Sequence, residues 1–227
     1  MKWRLNNRLV SSLTARSKWR VRVIAETIQA LRNRGVPTER LCNICWEQSF
    51  FGPFGWPLRP EALCSNCGSL ERQRLLKLWL DRNIAMIEDK RILHFAPEIV
   101  VASFLRPLAL EYVTADIAPG CDLHLNIERI DLPRVPSIIV LCSHVLEHIT
   151  NDGAALSELY RILSPNGAAL LMVPIVEGWA ETYEDKTKSD PGEREAYFGQ
   201  ADHVRYYGAD FRKRVFGAGF ELTEFTS

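Results

Sequence analysis

Four cysteines near the start of the chain form two closely spaced pairs. Cys42 and Cys45 make one C-x2-C pair, Cys64 and Cys67 make the other, and 18 residues separate the two pairs. Each pair suits a tight turn that aims two thiolates at one point, so two turns together complete a tetrahedral sulfur site for Zn²⁺. Four thiolates leave no open coordination position, which predicts a structural zinc ion. Disulfides and free thiols are the alternatives, and disulfides would need an oxidising compartment.

A small zinc-ribbon-like segment, residues 41–69, must position these cysteines. The residues between the two pairs are rich in Gly, Pro and aromatic side chains, which suits a short hairpin without a core of its own. Metal binding would then supply much of the folding free energy of this segment. The other two cysteines, Cys121 and Cys142, are isolated, and we expect them to pack inside the main domain.

Asp116 is a further residue whose position suggests chemistry. The segment RILHFAPE, residues 91–98, has the pattern of a buried strand that leads into a helix, and Asp116 ends the next predicted strand, 20 positions after Ala96. Ligands of open parallel sheets bind at the carboxyl ends of the strands. An acid at this position can accept hydrogen bonds from ribose hydroxyls. The alternative is an acidic residue that merely ends a strand.

The elements that must position Asp116 alternate along the chain. From Leu70 a helix places Leu76, Leu80, Ile84 and Ile87 on one face. Alternating strands and helices follow, which predicts an α/β domain with a parallel sheet covered on both faces. The predicted strands are 91–96, 112–118, 121–127, 137–142, 168–174 and 219–225, and the predicted helices are 98–107, 151–164 and 209–217.

Three segments of this domain together resemble one known family. They are YVTADI at 112–117, SHVLEHITNDGAALSELYRILSPNGAALLMVPI at 143–175 and YFGQADHVRYYGADF at 197–211. They resemble class I S-adenosylmethionine-dependent methyltransferases of the type-11 methyltransferase-domain group. The resemblance implies a doubly wound, mostly parallel Rossmann-like methyltransferase sheet with helices on both faces, over residues 70–227. It also implies S-adenosylmethionine as cofactor. Such enzymes usually carry one more antiparallel strand after GFELTEF, so we expect a sheet that is one strand short or a truncated chain.

The resemblance implies which residues contact the cofactor. The implied contacts are Phe95, Ala96, Pro97 and Glu98 in the methionine-side loop, Asp116 and Ile117 at the ribose and adenine, Asn126 and Ile127 at the adenine edge, and Ser143 and His144 beside the sulfonium. The loop HFAPE departs from many relatives, which have glycines there. Glycine permits positive φ, but a sulfonium without phosphate has less need of a nest of backbone amides. We therefore expect a variant loop; a degenerate domain that no longer binds cofactor is the alternative.

A long polar segment at residues 176–208 follows the fifth strand of the predicted sheet. A long insertion at this edge predicts a substrate lid. Methyl transfer requires an aligned nucleophile and, for a hydroxyl or amine, removal of a proton. His203 is the candidate base, with Asp202 or Glu184 to orient it. The competing interpretation is that DHVR, residues 202–205, pins the lid through charge pairs.

The segment HVLEH, residues 144–148, also fits the H-x-x-E-H pattern of inverted zinc proteases. That pattern requires two histidines on one helical face. The segment lies between a buried strand and a capped helix, as the methyltransferase hypothesis requires. A zinc hydrolase is therefore the less favoured alternative, and we expect His148 to be structural.

A basic helical arm is predicted at residues 1–40, which contain ten Lys or Arg and two acidic residues. Ile24, Ile28 and Leu31 repeat at helical spacing. We expect this helix to pack on the main domain; contact with a membrane surface or with nucleic acid is the alternative.

Charge and hydropathy limit the compartment and the partners. The 28 basic and 28 acidic residues cancel, so nucleic acid is a possible but not a favoured partner. No apolar run approaches the roughly 20 residues of a transmembrane helix, and no secretory signal is recognisable. We expect a cytoplasmic protein; the Arg-rich first 25 residues leave an organelle transit peptide as the alternative.

The leading functional hypothesis is an S-adenosylmethionine-dependent methyltransferase with a small-molecule or glycan acceptor. The segment CSHV, residues 142–145, lacks the Asn-Pro-Pro-Tyr type of motif for base or amide methylation. The alternative is a degenerate methyltransferase fold that serves as a nucleic-acid- or protein-binding module. The sequence does not predict an oligomeric state.

Overall fold

The computed structural model describes residues 39–55, 59–135 and 138–225. The described residues divide into two compact units, the first of which ends at Arg74 and the second of which begins at Leu75. The predicted helix of the basic arm lies outside the described residues. Within the described ranges, every helix is too short or too polar to cross a lipid bilayer.

The first unit contains two antiparallel hairpins. Strand β1 (Arg40–Leu41) pairs with β2 (Gln48–Ser49), and β3 (Phe51–Phe54) pairs with β4 (Arg59–Cys64). A network of part-buried hydrogen bonds joins these hairpins to the start of helix α1 (Glu71–Arg82).

Arg74, in the first part of α1, holds this network together. Its guanidinium donates hydrogen bonds to the backbone oxygens of Ser69 (2.6 Å) and Ala62 (2.8 Å). The same group lies 4.3 Å from the centre of the Phe51 ring. Arg74 is therefore one of the polar groups that fix this segment, which has few apolar side chains to bury.

The second unit is built on five parallel strands in the order β7-β6-β5-β8-β9, which confirms the predicted parallel sheet. The strand order reverses between β5 and β8, and such a switch point is where open α/β sheets bind ligands. The register pairs Phe95 with Ala115 on one side and with Cys142 on the other, so three strands end at one level. The strands are β5 (Arg91–Phe95), β6 (Glu111–Asp116), β7 (Leu123–His124), β8 (Ile138–Ser143) and β9 (Ala168–Met172).

Helices cover both faces of this sheet, as predicted. Alternate residues of a strand point to opposite faces: Leu93 of β5 joins one apolar core, whereas Ile92 joins the other. The Leu93 core also contains residues of α3 (Asp152–Ile162) and α5 (Phe211–Gly217). The Ile92 core contains residues of α2 (Ile99–Leu105) and of the second half of α1.

The first predicted helix is shorter than its apolar pattern suggests. Leu76, Leu80 and Ile87 are buried, but Ile84 is 44% exposed. Helix α1 ends at Arg82, and Ile84 begins a 3-10 turn, so it no longer lies on the same face. The apolar pattern of the sequence therefore continues about one turn beyond the end of the α-helix.

The predicted strand at residues 219–225 is wrong. These residues form no ladder; instead Phe220 packs edge to face on Tyr160 at 5.2 Å, and Glu224 accepts a hydrogen bond from Arg212 at 2.8 Å. Alternating apolar residues give a strand only where a neighbouring strand can pair with them, and here the alternation serves side-chain packing on α3 instead. The strand expected at 121–127 is likewise reduced to β7.

The lid segment contains regular structure that the sequence analysis missed. Strand β10 (Tyr183–Glu184) pairs with β11 (Arg205–Tyr206), and helix α4 (Pro191–Phe198) lies between them. Asp190 caps the helix, because its Oδ1 accepts hydrogen bonds from the N–H groups of Gly192 (2.8 Å) and Glu193 (3.1 Å). Gly199 ends it at a φ of 82°.

Candidate functional site

Two strands of the sheet end in residues with left-handed backbone. Ala96 follows β5 with a φ of 47°, and His144 follows β8 with a φ of 55°. Hydrogen bonds fix both bends, from Ala96 N to Ala115 O (2.9 Å) and from His144 N to Met172 O (2.8 Å). Such conformations are uncommon outside glycine and concentrate at functional sites. The glycine-free HFAPE loop thus adopts at Ala96 the conformation that glycine favours.

A cavity of about 60 Å³ lies at the carboxyl ends of β5 and β6. Six predicted cofactor contacts line it: Phe95, Ala96, Asp116, Ile117, Asn126 and Ile127. Leu125, Val145 and Ile149 complete its wall. Residues that are up to 54 positions apart in the sequence therefore meet here, because three strands end at one level.

The other four predicted cofactor contacts do not line this cavity: Pro97, Glu98, Ser143 and His144. Glu98 is the N-cap residue of α2. Ser143 is buried at the end of β8, with its Oγ 4.0 Å from Sδ of Met172. The Nδ1 atom of His144 contacts Oε1 of Glu147 at 3.1 Å.

Asp116 and its neighbours form a fixed turn at the cavity. Its Oδ1 accepts a hydrogen bond from Ala118 N (2.8 Å), and Nε2 of His124 contacts the backbone oxygen of Ile117 (2.7 Å). The Ile117 side chain is 64% exposed. A large exposed apolar side chain beside a fixed carboxylate suits a ligand with a flat apolar part and a polar hydroxylated part.

The four cysteines come together in the first unit. Their sulfur atoms all lie within 4.8 Å of one another, with 3.8 Å between Cys42 and Cys67 and 4.0 Å between Cys45 and Cys64. Two sulfurs bound tetrahedrally at about 2.3 Å from one zinc ion would be about 3.8 Å apart. The donor set and its spacing therefore fit Zn²⁺.

Ser69 completes the cysteine cluster and was missed in the sequence. It is fully buried, and its Oγ lies 3.2 Å from Sγ of Cys67 and 3.5 Å from Sγ of Cys42. Burial opposes the charged form of Cys42, but hydrogen bonds from the Cys45 backbone and the Ser69 hydroxyl outweigh it and lower the pKa of Cys42 to about 6. The fold thus favours the thiolate at Cys42, the form that binds a metal, whereas burial raises the pKa of Cys67 to about 11.

His203 is buried, and the carboxylates predicted to orient it make other contacts. Its ring is 5% exposed and packs edge to face on His148, with 4.6 Å between the ring centres. Asp202 contacts Nδ1 of His148 at 3.1 Å, and Glu184 binds the guanidinium of Arg205. Burial first, and then the charge of His148, lower the pKa of His203. The predicted orienting pairs are therefore wrong, because nearer basic groups take both carboxylates.

Arg205 holds the lid hairpin on the turn that follows β8. Its guanidinium is 2% exposed and donates hydrogen bonds to the backbone oxygens of Leu146 (2.9 Å), Ile149 (2.5 Å) and Thr150 (3.0 Å). Glu184 supplies the balancing charge at 3.1 Å. The segment DHVR, residues 202–205, thus forms the expected charge pair, between Arg205 and Glu184. This pair fixes His203 beside the same turn.

The inverted zinc-protease hypothesis is wrong. Residues Leu146–His148 form a single 3-10 turn and His144 has left-handed backbone, so the two histidines do not share a face of an α-helix. Instead, Glu147, His148 and His203 come together, with one potential ligand atom of each within 4.8 Å of the others. His203 lies 55 positions after His148, a separation that no local motif reveals.

Comparisons with known proteins agree with this fold. Residues 96–171 match the model of a family described as a methyltransferase domain. A proposed methyltransferase of Bacillus halodurans is 21% identical, with a TM-score of 0.50 over 65% of this chain and 69% of that one. The 4+2 cyclase SpnF is 14% identical, with a TM-score of 0.52 over 67% of this chain and 59% of its own length. No curated protein matches the chain.

A third structure, a SAM-dependent methyltransferase of Archaeoglobus fulgidus, is 14% identical with a TM-score of 0.42 over 66% of this chain and 69% of that one. The family match and the shared fold confirm the resemblance to the methyltransferase-domain group. The chain spans less than two thirds of SpnF, and the name of that protein describes a cyclisation. The fold alone therefore does not fix the reaction.

Proposed function

We propose that this protein is an S-adenosylmethionine-dependent methyltransferase that acts on a small-molecule or glycan acceptor. The observation that carries the proposal is the cavity at the carboxyl ends of β5 and β6. Six residues expected to contact the cofactor line it, and it lies at the switch point of a sheet that matches a methyltransferase domain. A ligand pocket at this place in the fold supports methyl transfer better than a purely structural role.

The bound cofactor would supply a methyl group on a positively charged sulfur. The residues of the chain would orient it: the Asp116 carboxylate accepts hydrogen bonds from the ribose hydroxyls, and Ile117 packs against the adenine. Ala96, in its left-handed conformation, lets the backbone pass close to the ligand with only a methyl group as side chain. Alignment of this kind is the main contribution of an enzyme to an in-line displacement.

His203 remains the candidate general base that removes a proton from the methyl acceptor. Its lowered pKa keeps the ring neutral at physiological pH, so that a ring nitrogen has a lone pair to accept a proton. The side chain lies beside the turn after β8, whose Val145 and Ile149 line the cavity. The proposed base is thus next to the proposed cofactor site, although 5% exposure requires the acceptor to reach it through the lid.

The four-cysteine cluster is proposed as a structural zinc site. Its donor set and its sulfur spacing support Zn²⁺. Four ligands leave no position for substrate. Zinc thiolates persist in a reducing compartment, which supports a cytoplasmic location.

The decisive experiment is calorimetric titration of S-adenosylhomocysteine into wild type and Asp116→Ala. Micromolar binding by wild type and at least tenfold weaker binding by the variant are expected, because the variant loses the ribose contacts. Asp131→Ala removes an exposed aspartate that does not line the cavity and should bind like wild type. A folded wild type that does not bind would refute the proposal.

The second candidate, a degenerate fold that binds nucleic acid or protein, is favoured by the glycine-free loop and by a cavity smaller than a whole cofactor. It predicts no binding of S-adenosylhomocysteine. It also predicts binding to a polyanion such as heparin that weakens as salt rises.

A further inference from the structure

A cluster of two buried side chains and one half-buried side chain beside the turn after β8 does not line the proposed cofactor cavity. It consists of Glu147, His148 and His203, each with one potential ligand atom within 4.8 Å of the other two. Glu147 and His148 come from the 3-10 turn, and His203 comes from the lid just before β11. A hydrogen bond from Val204 N to Glu147 O (2.9 Å) joins the two segments next to the cluster. The cluster is thus assembled by tertiary structure.

Two buried acceptor atoms of this cluster lack a donor. The Glu147 side chain is 1% exposed, and within the part of the chain that the structure describes its Oε2 has no hydrogen-bond partner. His203 is 5% exposed, and in the same described ranges its Nδ1 has none. Burying an unpaired carboxylate oxygen and an unpaired imidazole nitrogen is costly. A cation between these two atoms would satisfy both of them.

Neighbouring groups fix both imidazoles in the orientation that a metal ligand needs. Nδ1 of His148 contacts the carboxylate of Asp202 at 3.1 Å, which leaves its Nε2 for a metal. The His203 ring hydrogen-bonds to the backbone of Phe198, and within the described residues its Nδ1 has no hydrogen-bond partner. Metal-binding histidines characteristically donate their second ring N–H to a carboxylate or a backbone carbonyl. Both histidines have this arrangement.

We propose that Glu147, His148 and His203 bind a divalent first-row transition metal ion, with Zn²⁺ as the probe. Two imidazoles and one carboxylate are a ligand set of zinc and iron sites that keep an open coordination position. His144 would support the site from outside, because its Nδ1 contacts the other carboxylate oxygen of Glu147 at 3.1 Å. This ion would be distinct from the one at the four cysteines.

The place of this ion suggests its ligand class. Val145 and Ile149, on either side of Glu147 and His148 in the chain, line the proposed cofactor cavity. If the proposed methyl transfer is right, the open position would take a hydroxyl or carboxylate oxygen of the acceptor. A metal ion lowers the pKa of a bound hydroxyl, whose proton then leaves to solvent. In that case the lone pair of His203 would bind the ion, and the ion would replace His203 as the group that activates the acceptor.

The test is a count of bound zinc by mass spectrometry of the purified full chain after dialysis against micromolar Zn²⁺ and then against metal-free buffer. Wild type should hold two zinc ions, one at the cysteines and one at Glu147, His148 and His203. His148→Asn and Glu147→Gln should each hold one. Both are conservative changes, and circular dichroism would verify that they fold.

Two further variants sharpen the result. Asp202→Asn loses only the carboxylate behind His148, so calorimetric titration should show zinc affinity about tenfold weaker, with the site still present. His124→Ala, which removes an exposed imidazole outside the cluster, should keep two ions. One ion in wild type that Cys64→Ser removes, or two ions in both His148→Asn and Glu147→Gln, would overturn the site. Titration of S-adenosylhomocysteine separates the two proposals: cofactor binding without a second zinc overturns only the metal site, and a second zinc without cofactor binding overturns only the methyltransferase.

Discussion

At the scale of single residues, the site depends on two positions with strained backbone. Ala96 and His144 each end a strand with positive φ, a conformation that costs an L-residue about 1–2 kcal/mol. The bends turn the chain away from the sheet and leave the strand ends open. Alanine at position 96 is thus a tolerated substitute for glycine, at some cost in stability.

Ala96→Gly should leave the free energy of unfolding unchanged or raise it by up to about 1 kcal/mol, because relief of the positive φ outweighs the added freedom of the unfolded chain. Ala96→Val should lower it by more than about 1 kcal/mol, since a β-branched side chain suits this conformation poorly. Urea denaturation measures both.

Ala102→Gly is the matched control for Ala96→Gly. Ala102 lies inside α2, where glycine should lower the free energy of unfolding by about 1 kcal/mol. Equal losses for Ala96→Gly and Ala102→Gly would contradict strain at position 96.

At the scale of elements, buried polar groups attach the small elements. The zinc-ribbon-like segment is organised around four thiols, and the lid hairpin is attached to the turn after β8 by one buried guanidinium. Each of these elements has too little apolar surface to fold by packing alone. Their stability should therefore be sensitive to single polar substitutions.

Cys64→Ser should remove the ion bound at the cysteines, because three thiolates and a hydroxyl bind zinc far less tightly than four thiolates. Zinc content should fall by one ion per chain relative to wild type. Cys121→Ser, which removes a cysteine outside the cluster, should leave the zinc content unchanged. If reduced, freshly purified wild type contains no zinc at these thiols, the structural zinc site is ruled out.

Arg205→Ala should lower the free energy of unfolding by about 3 kcal/mol, because Glu184 and three backbone oxygens lose a buried charged donor. Lys186→Ala, an exposed change in the same segment, should have an effect within about 0.5 kcal/mol. Chemical denaturation of both proteins measures the difference. Equal stabilities would show that the guanidinium does not hold the hairpin.

At the scale of the whole molecule, the sheet carries a buried titratable group in its centre. His94 of β5 is fully buried, and its Nδ1 lies 2.6 Å from the hydroxyl of Tyr112 on β6. Burial lowers the pKa of His94 to about 4. The unfolded chain therefore binds a proton at a higher pH than the folded one does.

The contribution of His94 to the free energy of unfolding should accordingly be constant above about pH 6.5. It should fall as the pH drops from there toward 4, by up to about 3 kcal/mol. His94→Gln should flatten this part of the profile, and His124→Gln, at an exposed histidine, should not. Urea denaturation at several pH values measures the slope. Identical profiles for wild type and His94→Gln would contradict the prediction.

The sequence by itself determined the elements whose signals are local. Strand and helix periodicity gave the parallel sheet, and the C-x2-C spacing gave the cysteine cluster. Asp116, placed by its distance from Ala96, does line the cavity, and so do five residues inferred from the resemblance. The position of Asp116 follows from the geometry of parallel strands, whose last residues come together where the strands end at one level, whereas the other five positions follow from the resemblance.

Tertiary structure alone decided what depends on distant partners. The pattern at 219–225 lacks a strand partner, so it packs by side chains, and Glu184 serves Arg205 instead of His203. His203 meets Glu147 and His148 only because a hairpin docks on the turn after β8. A sequence encodes periodicity over a few residues, but which buried charges face each other depends on the path of the whole chain.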